Sequence, residues 1–85
     1  MYRVAFTKRA RKDLAKVPKN IALRVRERLE RIAADPYARY SNVTKLQNRP
    51  GYRLRIGDWR VIYRIENEEL IILVLRIGSR GEVYQ

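Results

Sequence analysis

Tyr2-Arg3-Val4-Ala5-Phe6 alternates in polarity, setting Tyr2, Val4 and Phe6 on one side of an extended segment, and this predicts a first β-strand. Thr7 stands where a helix cap belongs, and Ala10, Leu14 and Val17 then recur at helical spacing up to Pro18. The spacing resumes at Ile21, Val25, Leu29 and Ile32 and stops at Asp35-Pro36, so two helices joined through Val17-Pro18-Lys19 are predicted. Residues 36–50 lose the period and gather Pro36, Ser41, Asn42, Asn48 and Pro50; they read as a loop with a short turn around residues 43–46.

Period two returns from Tyr52 to Arg64. With Gly57-Asp58 as a two-residue turn, Ile56 opposes Trp59 and Arg55 opposes Arg60, while Arg53 and Arg64 fall on the same side as that pair. Trp59 and Tyr63 then take the opposite, core-facing side. A polar turn at residues 66–69 leads into Leu70 to Ile77, almost continuously apolar, which predicts an interior strand. One face of that strand can pack on the helices; the other finds no cover in the remaining chain, which points to a partner protein. The expected fold is α+β over a single domain, residues 1–85: an N-terminal strand, a two-helix hairpin and an antiparallel three-stranded meander. These strands form one sheet with the helices on one face.

Charge narrows the partner. Twenty Lys and Arg against nine Asp and Glu give a net charge of +11 in 85 residues, an electrostatic footprint suited to a polyanion, with nucleic acid ahead of an anionic membrane. No apolar run approaches the roughly 20 residues needed to span a bilayer, and the N-terminus lacks a signal-peptide apolar region, so a cytoplasmic protein is expected. The chain holds no Cys and no His, which excludes disulfides, thiolate metal sites, cysteine nucleophiles and the usual general base. The carboxylates form no motif for a divalent metal, so no metal and no cofactor is expected, and catalysis must run on Arg, Lys, Tyr, Ser, Asp or Glu.

Like charges opposed across strands destabilise a sheet. The arginine side of the hairpin therefore either solvates its side chains fully or holds them for an anion, and guanidinium groups bind phosphate through paired hydrogen bonds. The C-terminal Gly78-Ser79-Arg80-Gly81-Glu82-Val83-Tyr84 is the second candidate, since two glycines allow a tight loop to return Arg80 and Tyr84 to the sheet. Lys8, Lys12, Lys16 and Lys19 fall near one stripe of the first helix and Arg24, Arg28 and Arg31 near one stripe of the second. Those strips read first as solvated faces, with Glu27–Arg31 and Arg26–Glu30 at pairing distance along the helix, and second as sequence-independent contacts to a nucleic-acid backbone.

Lys45-Leu46, the run from Gly51 to Tyr63, and Arg80-Gly81-Glu82-Val83-Tyr84 together resemble the RelE/ParE superfamily of bacterial and archaeal toxins, and the final motif is similar to its RelE branch. The resemblance implies a toxin of a type II toxin–antitoxin system: a metal-independent endoribonuclease that cuts mRNA in the ribosomal A site by attack of a 2′-OH on the adjacent phosphate. It further implies Tyr84 as general base, Arg80 at the leaving oxygen, and Arg60 on the scissile phosphate. Arg53, Arg55, Arg64 and Lys45 would bind the RNA phosphates. A cognate acidic antitoxin is the implied partner beside ribosome and mRNA, with operator DNA met only through the antitoxin complex. Because the sequence ends one residue past Tyr84, inhibition by covering the arginine face is expected, not displacement of a C-terminal helix. An unperturbed tyrosine is only ~0.1% ionised at pH 7, a deficit of about 4 kcal/mol, which clustered arginines would reduce by favouring the phenolate. The alternatives are a ParE-like toxin that inhibits DNA gyrase without cutting RNA, and a non-catalytic RNA-binding module.

Overall fold

The elements run β1 (Arg3–Phe6), α1 (Lys8–Ala15), α2 (Lys19–Ala34), β2 (Val43–Lys45), β3 (Tyr52–Ile56), β4 (Trp59–Glu66) and β5 (Ile71–Ser79) in the computed structural model, which describes residues 1–79. The strands form one sheet in the order β1-β5-β4-β3-β2, with β1 parallel to β5 and every other neighbour antiparallel. Mixed α+β architecture with both helices on one face is as predicted.

Local chemistry explains the helix ends. The Thr7 hydroxyl accepts a hydrogen bond from the Ala10 amide at 3.1 Å, a cap worth about 1 kcal/mol. Pro18 occupies the cap position of α2 without a side-chain bond, and its ring fixes the φ of −55° at which the chain turns from one helix into the next. At the other end of α2, the Tyr40 hydroxyl lies 3.0 Å from the Arg31 carbonyl and 2.9 Å from that of Asp35, so its one proton adds a side-chain bond to a helix end whose carbonyls also accept from the Asp35 and Ala38 amides.

The core lies between helices and sheet. Ala10, Val17, Val25, Leu29, Ile32 and Ala33 meet Leu54, Ile56, Val61, Tyr63, Ile72, Val74 and Ile77, all buried, while Tyr2, Val4 and Phe6 pack at its margin as the opening alternation predicts. Tyr52 stacks on Tyr63 with ring centroids 5.5 Å apart.

Three expectations need correction. Residues 43–45 are not a turn but a short edge strand, β2, whose Val43, Thr44 and Lys45 pair with Leu54, Arg53 and Tyr52. Its three residues are too few to show a period, and its backbone bonds to β3 define it. Leu70 belongs to the turn before β5, with φ of 55° and 47% exposure, not to the strand. Neither Glu27–Arg31 nor Arg26–Glu30 forms an ion pair among the described residues; Arg26 instead lies over the Phe6 ring, 5.6 Å from its centroid. No helix among the described residues is long and apolar enough to cross a membrane.

Candidate nucleic-acid interface

Pleating divides each strand between two surfaces. Leu54, Ile56, Val61 and Tyr63 face the helices and are buried, which leaves Arg53, Arg55, Arg60, Ile62 and Arg64 on the outer face. The hairpin loop sets this register: Ile56 stands opposite Trp59 and Arg55 opposite Arg60, as the sequence predicts. Gly57 carries a φ of +58° at the first central position of the loop, where glycine alone adopts left-handed backbone without steric penalty.

Arg55 is exposed and Arg60 half-buried, and neither pairs with a carboxylate among the described residues. Arg60 turns its Nη1 back toward the Asp58 carbonyl, at 3.5 Å. The backbone of Arg55 is clamped by Asn42: the Arg55 amide donates to the Asn42 carbonyl at 2.9 Å and Asn42 Nδ2 donates to the Arg55 carbonyl at 3.3 Å. Asn42 therefore positions the arginine pair, a role that no periodicity reveals because it depends on a contact between loop and strand end.

The other candidate cations divide. Arg53 has Thr44 and Ile62 as cross-strand partners and lines, with Lys45 and Arg49, a cavity of about 270 Å³. Lys45 belongs to the opposite pleat, beside Tyr52, so it meets Arg53 at the sheet edge and not on the arginine face itself. No pattern in the sequence marks Arg49, which sits in an aperiodic loop and joins the group only through folding. Arg64 forms an ion pair with Glu66, its Nε and Nη2 each 2.8 Å from Oε2. That pair offsets charge at the far end of β4 and leaves the uncompensated charge toward the hairpin turn.

Gly51 links these regions. Its φ is +118°, and a Cβ there would stand 2.9 Å from the Tyr63 carbonyl, so only glycine admits the close approach that starts β3 beside β4.

Arg80 and Tyr84 lie outside the described residues. β5 is described to Ser79, which pairs with Trp59 next to the Arg60–Gly78 pair, at the turn end of the arginine face. Two described tyrosines are unsuited to act as bases. Burial, then Tyr52 and Tyr40, raise the Tyr63 phenol well above its ordinary value; burial and Asp35 raise Tyr40 against the opposing pull of Arg31. Among the described residues no group of three or more carboxylates, histidines or cysteines comes together.

Beside the arginines lies an apolar strip. Ile62 is only 4% exposed yet stands apart from the main core, and Ile71, Leu73 and Leu75 are half-buried on β5. A register shift in the β4–β5 pairing at Ile62/Tyr63 leaves Leu75 unpaired, which allows both Val74 and Ile77 to face the core.

Residues 4–84 match the family described as ParE toxin of type II toxin–antitoxin system, parDE. The chain is 31% identical over 85 residues to toxin RelG of Mycobacterium tuberculosis, covering 99% of this chain and 97% of that relative. Among solved structures it is similar to the archaeal RelE–RelB complex of Pyrococcus horikoshii, at 33% identity and TM-score 0.77 over 95% of this chain and 97% of that one. The isolated RelE toxin of Escherichia coli is similar too, at 25% identity and TM-score 0.80 over 99% and 92% of the respective chains.

Proposed function

The chain belongs to the RelE/ParE superfamily, toxins of type II toxin–antitoxin systems, and on that premise we propose that it is a metal-independent endoribonuclease cutting mRNA in the ribosomal A site. The observation that carries this reading is the direct cross-strand opposition of Arg55 and Arg60, without carboxylate partners, on a face flanked by Arg53. A dianionic transition state at phosphorus offsets the mutual repulsion that makes such a pair unfavourable in the free protein.

In the proposed mechanism Arg60 binds the scissile phosphate, while Arg53 and Arg55 neutralise the charge that develops as the 2′-OH attacks. Tyr84 takes the 2′-OH proton, and Arg80 stabilises the leaving oxygen electrostatically; its high pKa makes it a dependable charge and a poor proton donor. Lys45 and Arg64 contribute at the periphery, Arg64 after exchanging Glu66 for phosphate. Residues 1–85 act as one domain in the cytoplasm, where ribosomes and mRNA are found. An acidic antitoxin silences it by covering the arginine face and the strip of Ile71, Leu73 and Leu75; the RelE of Pyrococcus horikoshii was solved with RelB.

Programmed ribosomes with mapped mRNA ends test the reading. Wild type is expected to cut within the A-site codon, and Tyr84→Phe and Arg80→Ala to cut far more slowly. Equal cutting by all three would remove the mechanism and keep the activity. A second reading, gyrase inhibition, draws on the ParE description of the matching family. Loss of DNA supercoiling by purified gyrase, with mRNA left intact, would establish it in place of the first.

A further inference from the structure

Around the end of the sheet from Arg60, on the helix side, lies a cleft of about 620 Å³ lined by Arg9, Lys12, Asp13 and Lys16 of α1, by Trp59, and by the last residues of β5. Its volume falls within the ~300–1,000 Å³ typical of ligand sites. Residues 9, 12, 13 and 16 share one helical stripe, so α1 presents this row to the strand ends. Asp13, the one carboxylate among the described lining residues, is already engaged. Its Oδ2 accepts from Arg76 Nε and from the Ile77 amide, both at 2.9 Å, and its Oδ1 lies 3.8 Å from Arg9 Nε. Lys12 and Lys16 are exposed and have no carboxylate partner among the described residues. Trp59 packs against the core yet remains half-exposed and lines the cleft, so sequence alternation accounts for only part of its role.

We infer that this cleft is a subsite for single-stranded RNA, in which a base stacks on Trp59 and Lys12 and Lys16 hold the neighbouring phosphates. The inference rests on the ribonuclease reading and extends its substrate path. A cationic groove with an aromatic platform fits single strands, because every base offers a π-face and backbone charge needs no sequence. An acidic peptide would use the cations and leave the indole idle. The site also adjoins the arginine face: Trp59 and Arg60 are consecutive on β4, and their partners Ser79 and Gly78 are consecutive on β5. A strand bound at Arg60 can thus turn over the hairpin end with its next base toward the cleft.

Trp59 is the only tryptophan in the chain, so its emission reports on the cleft directly. The probe is a six-nucleotide 2′-O-methyl RNA, which lacks the attacking hydroxyl and cannot be cut. Saturable quenching of Trp59 emission is expected. Lys12→Gln/Lys16→Gln is expected to weaken binding and to flatten the log–log salt slope by about 1.4, two phosphates' worth for a single strand. By anisotropy of the end-labelled RNA, Trp59→Leu is expected to bind about 5- to 150-fold more weakly, with Trp59→Phe between it and wild type. The lysine pair, on an exposed helix face, keeps the test decisive if Trp59→Leu does not fold. RNA bound without quenching, no RNA binding, an unchanged salt slope in the lysine variant, or equal quenching by oligoglutamate of the same charge would each overturn the subsite. Quenching with the expected slope but no cleavage on ribosomes would support the subsite and count against the ribonuclease reading alone.

Discussion

The two faces of this sheet share the same strands and have opposite physics. On β3 and β4 the residues toward the helices are Leu54, Ile56, Val61 and Tyr63, all buried, whereas Arg53, Arg55, Arg60 and Arg64 lie toward solvent one position away in each case. The covered face gains stability from apolar burial. The open face combines opposed guanidinium groups with a half-exposed apolar strip, both unfavourable in the free chain and both favourable once a polyanion or a protein lies against them. Stability and the proposed chemistry are thus divided by the pleat of a strand, not by distance.

Neighbouring residues give the sharpest test of that separation. Leu54 is 1% exposed, and Leu54→Ala is expected to cost about 2–5 kcal/mol of unfolding free energy in urea titrations, while the folded fraction retains its cleavage rate. A small loss of stability with a large loss of cleavage would break the comparison, because the covered face would then be acting on the chemistry.

Arg60→Ala should do the reverse. Removing a preorganised charge from a transition state lowers the rate about 100-fold or more, so cleavage on programmed ribosomes is expected to fall by that factor with the urea midpoint the same or slightly higher, since the opposition to Arg55 is relieved as well. A fall of less than fivefold would remove Arg60 from the scissile phosphate.

Much of this contrast was legible in the sequence, and the failures have physical reasons. Alternation together with a Gly-Asp loop sufficed to oppose Arg55 to Arg60 and to place Tyr63 in the core. The Arg64–Glu66 pair follows from the same alternation, since strand residues two apart share a face. By contrast β2, the Asn42 clamp and Asp13's hold on Arg76 and the Ile77 amide join segments distant in sequence. No local pattern encodes such contacts. Trp59 shows a limit of alternation itself, which assigns a side chain to a face without saying where along the strand the helical cover ends.

The faces should also differ in their response to pH. Burial raises the Tyr63 phenol, so its folded pKa stands above the unfolded value of about 10. The stability linked to it is fully present below pH ~10. As pH rises beyond that, the unfolded chain gives up the proton first and the native state loses ground, by at most about 1.4 kcal/mol per pH unit for one proton. Tyr63→Phe is expected to flatten the decline in urea midpoint between pH 9.5 and 11. An equally steep decline in the variant would show that another group carries it. In the proposed mechanism Tyr84 takes the 2′-OH proton as phenolate, so cleavage by wild type is expected to rise with pH and to lose that rise in Tyr84→Phe.

The smallest effect tests the most specific claim, that the free protein holds Arg55 and Arg60 against their own repulsion. If it does, Arg55→Thr, a β-branched residue suited to a strand, should stabilise the fold by about 0.2–1 kcal/mol at low salt while slowing cleavage. Arg60→Thr should behave similarly, and the double variant should gain less than the sum, because either substitution alone already removes the repulsion. Salt separates this from a simple gain in strand propensity. The screening length falls from about 10 Å at 0.1 M to about 3 Å at 1 M, so a charge effect must shrink across that range and a propensity effect must persist. A gain independent of salt, or additive in the double variant, would mean that the two guanidinium groups are fully solvated. The open face would then be an ordinary charged surface, and the opposition of Arg55 and Arg60 would no longer argue for a phosphate between them.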